Sequence, residues 1–375
     1  MSKPSFTETS GKKICLEISP MAWSDERERQ LRQVLSNDLS FGRALARYGD
    51  RGLAAAHAIA TRHTISVSEL ATLIELPRIA PHDDYLVAIA AILSGRELVT
   101  PSDLDPRLEA DLAARRFFAR CHTRFRGSCD VPFLFRQAIP IVEARVGAAS
   151  GYFIADTGAP HTAISRKWWW ESGFGAPEIG AVQPIGDGAG NHIEAACVRI
   201  ADFALGDAKA INVPAVIFDF PEHLEVAGIL SPLDAFPGCR AQFDWTSRRL
   251  RIHSDIGGNR EPVIWSGGNP LARVKLNEKE TFLMIDTGAG HCALCEDGPI
   301  REGGKTTRSA LGQLNYGESE TRVLQWPGFR EEVSFVSKIC VDDLARAIPP
   351  LSDGLLGANL FEGRCLTISQ TGWHL

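Results

Sequence analysis

Two aspartates, Asp156 and Asp286, stand at matching positions of a repeated motif. Each opens an Asp-Thr-Gly-Ala tetrapeptide that directly follows an apolar, strand-like run. The match continues downstream, where the same residue types recur at His161, Ala163, His291 and Ala293. The two copies lie about 130 residues apart, and such self-similarity indicates an internal duplication.

Paired aspartates suit one kind of acid–base chemistry. Two carboxyl groups at contact distance cannot both ionise at ordinary pH, so they share one proton and titrate as a pair. One carboxylate can accept a proton from water while the other carboxyl donates a proton to a carbonyl oxygen. An aspartate in such a turn can also be a simple turn former that binds its own backbone, but the matched pair favours catalysis.

Each motif is followed by an apolar run that contains glycine, at residues 228–233 and 354–359. With these elements the chain resembles the aspartic proteases, specifically the retropepsin-like group in which alanine follows Asp-Thr-Gly. The resemblance covers roughly residues 135–375. In the family this run ends in glycine and packs behind the aspartate loop. Gly357 fits that pattern, whereas Ser231 departs from it in the first copy.

The resemblance implies that Asp156 and Asp286 are the catalytic pair and that their neighbours support the two loops. Thr157 and Thr287 would hydrogen-bond across the interface between two lobes. Glycine at the next position permits a close approach of backbone amides to the carboxylates, which a Cβ would obstruct. These supporting glycines are Gly158 and Gly288.

Ala159 and Ala289 stand where many pepsin-like enzymes carry a hydroxyl residue. Loss of such a donor removes stabilisation of the ionised pair, so the apparent pKa of the pair should rise. The sequence therefore predicts a pH optimum less acidic than that of pepsin-like relatives.

A glycine-dense stretch at residues 184–193 predicts the tip of a hairpin. In a retropepsin-like lobe the mobile flap falls here, and glycine allows unusual dihedrals close to a substrate backbone. The candidate substrate-binding residues are Gly186, Asp187, Gly188 and Gly190. A phosphate-binding loop is a poorer interpretation, because no suitable helix start follows. The counterpart in the second lobe is expected near residues 311–317.

Two further features could carry chemistry. A metal or acid–base role for His161 and His291 is less favoured than loop packing or a substrate wall, because no clear third ligand accompanies them. Cys292 and Cys295 form a close pair without a second pair, which favours a structural role over metal binding. Their proximity to Asp286 leaves redox inhibition open. No cofactor and no metal are implied.

Composition limits the class of protein. The chain has 375 residues, 44% of them hydrophobic and 23% charged, with a formal net charge of −6. This mildly acidic balance gives no reason to expect nucleic acid or an anionic membrane surface as a partner. The first residues lack a secretory signal, and the longest apolar run, residues 86–93, is too short to span a bilayer. Nine scattered cysteines fit a reducing compartment, so a cytoplasmic location is expected.

Helical periodicity and capping residues dominate residues 24–99, and a further helix is predicted at 106–120. The predicted fold class is multidomain α and β: an N-terminal all-α helical domain followed by two β-barrel-like lobes of the aspartic protease fold. The predicted domains are 1–130, 131–256 and 257–375. The first would serve as a prosegment-like or regulatory cap, or would recruit substrates.

The predicted function is that of an aspartic endopeptidase acting on peptides or proteins as a catalytically competent monomer, because the duplication supplies both halves of the dyad. The alternative is a non-catalytic peptide-binding module, or a latent protease, on the same scaffold.

Overall fold

The computed structural model describes residues 8–9, 13–14, 106–136, 138–186, 192–255, 257, 260–266, 268–294, 305–308, 313–316, 319–337 and 352–375. The chain divides into two compact units, Met1–Ala119 and Arg120–Leu375. In the first unit, strands β1 (Glu8–Thr9) and β2 (Lys13–Ile14) pair antiparallel, and helix α1 spans Pro106–Ala119. No helix among the described residues is long and apolar enough to cross a membrane.

The predicted fold class is wrong in its N-terminal all-α domain. The described part of the structure is mostly β. Helix α1 is present, but the helices predicted within residues 24–99 lie outside the described residues. The physical reason for the error is that periodicity and capping are local signals. They mark single helices and do not establish that several helices pack into one domain.

The first lobe is a barrel-like sheet whose strands alternate between buried and exposed side chains, as β6 does along its length. Its elements are β3 (Arg124–Arg126), β4 (Cys129–Pro132), β5 (Leu134–Arg136), β6 (Ile139–Val146), β7 (Ala149–Ala155), β8 (Thr162–Ser165), α2 (Arg166–Glu171), β9 (Ile179–Gly186), β10 (His192–Leu205), β11 (Ala208–Phe218), β12 (Gly228–Leu230) and α3 (Pro232–Ala235).

The first lobe ends with β13 (Cys239–Asp244) and β14 (Arg249–Ser254), and the second lobe repeats its pattern. Its elements are β15 (Glu261–Ser266), β16 (Asn269–Leu276), β17 (Lys279–Ile285), β18 (Ala293–Leu294), β19 (Lys305–Arg308), β20 (Gln313–Tyr316), β21 (Ser319–Trp326), β22 (Phe329–Ser337), β23 (Gly354–Leu356), α4 (Ala358–Phe361), β24 (Cys365–Ser369) and β25 (Gly372–His374).

The two lobes have the same topology. Hydrogen bonds run in the order β7-β12-β8-β11-β10-β6 in the first lobe, and pairing of β6 with β7 closes the ring. The second lobe follows β17-β23-β18-β22-β21-β16, and pairing of β16 with β17 closes it. Parallel pairing occurs at the same places, β7 with β12 and β17 with β23. The duplication in the sequence is therefore a duplication of the fold.

A central sheet joins the lobes, in the order β15-β25-β24-β13-β14-β4. Its middle pair is β13 from the end of the first lobe and β24 from the end of the second, running antiparallel from Arg240 against Ser369 to Asp244 against Cys365. The buried Arg260 side chain binds Asp255 at 2.7 Å and donates to the Ser369 hydroxyl at 2.6 Å. The connection between the lobes is thereby fastened to the C-terminal strands.

Candidate active site

Each aspartate lies directly after a strand that the apolar run supports. Strand β7 ends at Ala155, and the Asp156 amide donates to the carbonyl of Leu230 in β12 at 2.9 Å. In the second lobe the Asp286 amide donates to the carbonyl of Leu356 in β23 at 3.0 Å. Both loops therefore have the same main-chain support, even though the first run lacks the family's glycine.

Two threonines exchange hydrogen bonds between the lobes. The Thr157 amide donates to the Thr287 hydroxyl at 3.0 Å, and the Thr287 amide donates to the Thr157 hydroxyl at 3.1 Å. Each hydroxyl then donates at 2.7 Å to a carbonyl of the opposite lobe, at Ile285 and Ala155. Both side chains are buried. This reciprocal set of four bonds fixes the spacing of the two aspartate loops.

Replacing Thr287 by valine is expected to lower the free energy of unfolding by about 2–6 kcal/mol. The substitution keeps the shape and leaves the Thr157 amide and the Ala155 carbonyl buried without their partner, which costs about 1–3 kcal/mol for each such group. Denaturant unfolding monitored by tryptophan fluorescence measures the change. Thr321→Val, at an exposed position of β21, is the matched control. Equal stabilities of the two variants would contradict the assigned role.

Glycine follows each threonine because the opposite carboxyl occupies the space of a side chain. A Cβ on Gly158 would lie 2.5 Å from Cγ of Asp286, and a Cβ on Gly288 would lie 2.4 Å from Cγ of Asp156. Such distances are below any ordinary contact, so only glycine fits without displacing the carboxyls. The two aspartates thus meet across the lobe interface, each against the other's loop.

The carboxyls of Asp156 and Asp286 lie close together, and main-chain amides donate to both. Gly158 donates to Asp156 Oδ1 at 2.7 Å, while Gly288 and Ala289 donate to Asp286 Oδ1, each at 2.9 Å. Burial raises the pKa of Asp156 above its usual value. Burial, followed by the charge of Asp156, raises the pKa of Asp286 well above its usual value. The pair therefore keeps one proton to a higher pH than an isolated carboxyl would.

Only part of the predicted flap is described. Gly186 is the last residue of β9 and pairs with His192 at the start of β10. The other candidates, Asp187, Gly188 and Gly190, lie outside the described residues. In the second lobe β19 and β20 form a separate hairpin, with Arg308 opposite Gln313, and part of the predicted stretch 311–317 forms β20. Contact of either hairpin with a substrate stays a prediction.

The remaining sequence candidates lie near the loops. His161 Nδ1 is 3.4 Å from Asp234 Oδ2, and His291 is exposed. Cys292 is buried, its sulfur accepts a hydrogen bond from the Gly357 amide at 3.3 Å, and burial raises the pKa of its thiol to about 12. Cys295 lies outside the described residues. A protonated, hydrogen-bonded Cys292 has a structural role and is a poor nucleophile.

The position of Cys292 has a direct equivalent in the first lobe. There Thr162 is buried, and its hydroxyl accepts a hydrogen bond from the Ser231 amide at 3.3 Å. In both lobes, therefore, the amide of the residue before the short helix donates to a buried side chain, Thr162 in the first lobe and Cys292 in the second. Among the described residues, no group of three or more His, Cys, Asp or Glu side chains is placed to bind a metal ion.

One polar residue at the site was missed from the sequence. Asn269, the first residue of β16, is buried and donates a hydrogen bond from its side chain to the carbonyl of Gly158. The corresponding first residue of β6 is Ile139. The signal available in the sequence was a polar residue, Asn269, at a position where the first copy has the apolar Ile139.

Comparisons with known proteins bear on this geometry. Residues 142–231, which run from β6 through the first aspartate loop to Ser231, match the aspartyl protease family. A solved aspartic proteinase from Irpex lacteus is 12% identical, with a TM-score of 0.40 over 66% of this chain and 95% of its own. A retropepsin-like aspartic protease from Rickettsia conorii is 18% identical, with a TM-score of 0.26 over 35% of this chain and 93% of its own. No curated protein sequence matches the chain.

The family match covers the first aspartate loop and the strands that support it, and it supports peptidase activity of the aspartic type. The second loop lies outside the matched segment and is related to the first by the shared topology. The resemblance to retropepsin-like aspartic proteases predicted from the sequence is thereby confirmed.

Proposed function

We propose that this chain is an aspartic endopeptidase whose catalytic groups are the carboxyls of Asp156 and Asp286. The observation that carries the proposal is the meeting of these carboxyls across the lobe interface, each packed where the other loop has glycine. Turn formation alone would require neither the contact between them nor the threonine exchange that sets it. Hydrolysis by a shared-proton pair requires both.

The pair with one proton activates a water molecule held between the two carboxyls. The ionised carboxylate accepts a proton from this water as the oxygen attacks the peptide carbonyl carbon, and the protonated carboxyl donates its proton to the carbonyl oxygen. Collapse of the tetrahedral intermediate breaks the carbon–nitrogen bond. The leaving nitrogen takes the proton that came from water, and a hydroxyl of the intermediate returns its proton to the pair as the carbonyl re-forms, so the pair again holds one proton. No individual assignment of acid and base is needed, because the carboxyls titrate together.

The substrate would be a peptide in extended conformation lying across the dyad, paired through its main chain with neighbouring strand edges. In the first lobe the hairpin of β9 and β10 is the candidate cover. Both halves of the dyad come from one chain, so a monomer is the proposed active form. The cytoplasm is the proposed location.

We expect a pH optimum less acidic than that of pepsin-like enzymes. The reactive form has one proton on the pair and exists between the two ionisations. Because the pKa of Asp286 is raised well above its usual value, this form survives to higher pH and the alkaline limb moves towards neutrality. The alanine side chains at 159 and 289 offer no hydroxyl to oppose this shift. A profile of kcat/KM that peaks below about pH 3, under the usual carboxyl pKa of about 4, would contradict the expectation.

Incubation of the full chain with a peptide library over a range of pH, with and without pepstatin, tests the proposal. Mass spectrometry of the products identifies the cleaved bonds. Cleavage that pepstatin blocks supports the proposed function. Peptide binding without cleavage would favour a binding module or a latent enzyme. Removal of the first compact unit, residues 1–119, then separates these two, because only a latent enzyme gains activity.

A further inference from the structure

The turn between β15 and β16 reaches from the second lobe to the first aspartate loop. Gly268 in this turn has a φ of +83°, and a Cβ there would lie 2.9 Å from the Pro160 side chain. The next residue, Asn269, is 7% exposed and directs its side-chain amide at the carbonyl oxygen of Gly158. A buried polar side chain of one lobe is therefore bonded to the catalytic loop of the other.

The bonded carbonyl belongs to the residue that contacts both carboxyls. The Gly158 amide donates to Asp156 Oδ1 at 2.7 Å, and the Asp286 carboxyl fills the space that a Cβ of Gly158 would take. A donor on the Gly158 carbonyl therefore restrains this residue between the two aspartates. Asn269 thus acts on Asp156 through Gly158.

The hydrogen bond from Asn269 distinguishes the two halves of the duplicated site. Strands β6 and β16 have equal length and equal position before their aspartates, and a positive φ precedes each, at Ala138 and Gly268. Ile139 stands in the first lobe where Asn269 stands in the second. An isoleucine side chain cannot donate a hydrogen bond. The side-chain donor at this position therefore holds the loop of Asp156. Ile139 provides no such donor for the loop of Asp286.

We propose that Asn269 is a positioning residue for the reaction, which holds Gly158 so that the Gly158 amide stabilises ionised Asp156. This inference rests on the proposed function and adds a specific asymmetry to the dyad. Asn269 does not touch the reacting atoms in this arrangement. Its effect appears in the protonation of the pair and in turnover, and not in substrate affinity.

Asn269→Leu tests the inference, because leucine is similar in size and lacks the donor. We expect kcat to fall about three- to ten-fold with KM changed less than about two-fold, since the hydrogen bond from Asn269 acts on the acid–base step. Weaker stabilisation of ionised Asp156 raises the pKa of the first ionisation of the pair. The acid limb of the pH–rate profile should therefore move upward by about half a pH unit. Ile139→Leu, at the equivalent position of the first lobe, should leave all three quantities unchanged.

Titration of the Asp156 carboxyl carbon by NMR in aspartate-labelled protein provides a readout independent of cleavage. An upward shift of the titration in Asn269→Leu supports the inference even if the wild type cleaves none of the peptides, a result that would count against the proposed function alone. An unshifted titration, or an active wild type whose kcat and acid limb survive the substitution, would overturn the inference and leave the proposed function standing. If Asn269→Leu does not fold, Asn269→Ala removes the donor without adding bulk and is judged by the same readouts.

Discussion

Replacing either Asp156 or Asp286 by asparagine should lower kcat/KM for peptide cleavage by about 10³-fold or more. Asparagine has nearly the shape of aspartate, but its uncharged amide can neither accept a proton from water nor share a proton with the partner carboxyl. Because each carboxyl serves in the same cycle, the two single variants should be equally inactive and the double variant little worse. Purified variants assayed on a peptide that the wild type cleaves provide the measurement.

The stability of these variants separates loss of chemistry from loss of fold. Raised native pKa values mean that the wild type loses stability as the pH rises above about 4, where the unfolded carboxyls ionise freely. Asp286→Asn removes that cost and should be more stable than the wild type at neutral pH. Asp202→Asn, on an exposed part of β10, controls for the change of charge. Cleavage that persists in either dyad variant would assign the activity to another site or to a contaminant.

Gly288→Ala should lower kcat by about 10²-fold, the effect typical of a displacement of reacting groups by about 1 Å. The added methyl group would lie 2.4 Å from both Cγ and Oδ2 of Asp156, so the carboxyl or the loop has to move. The loop is held by the threonine exchange, and the displacement therefore falls on the dyad. Gly158→Ala should act in the same way on Asp286, whose Cγ would lie 2.5 Å from the new methyl group.

Gly175→Ala is the matched control for these substitutions. A Cβ at Gly175 would have no neighbour within 4 Å, and the residue lies in a loop of the same lobe as Gly158. Its kcat should equal that of the wild type. A Gly288→Ala enzyme with full activity would show that the carboxyl contact is not needed for turnover, contrary to the proposed mechanism.

Local requirements explain why the aspartate loops could be located from the sequence. Each loop needs an apolar strand, a tight turn and a glycine at a position without room for a side chain, so the same residues occur in both copies. The duplication made this pattern visible. Ser231 shows the limit of such pattern matching. The bond from the Asp156 amide goes to the Leu230 carbonyl, so a side chain at the next position does not disturb it. In the second lobe a Cβ at Gly357 would lie 2.3 Å from the His291 carbonyl, and glycine is required there.

The contact of Asn269 with Gly158 could not have been read from the sequence. The two residues are separated by 111 positions, and their meeting depends on how the tip of one hairpin packs on a loop of the other lobe. No periodicity or motif encodes that packing. The helical prediction for residues 24–99 failed to give the fold class for a related reason, since propensity describes single segments and the arrangement of segments is decided by tertiary contacts.

The pairing of β13 with β24 has a consequence for how the site responds to dilution. Both strands belong to one chain, so the encounter of the two lobes is intramolecular and its effective concentration is set by the connecting segment. The two carboxyls consequently meet with a probability that does not depend on protein concentration. Separating them requires breaking main-chain hydrogen bonds of a continuous sheet, a unimolecular event governed by the unfolding rate. A site assembled in this way persists at concentrations where a pair of weakly associating subunits would already have come apart.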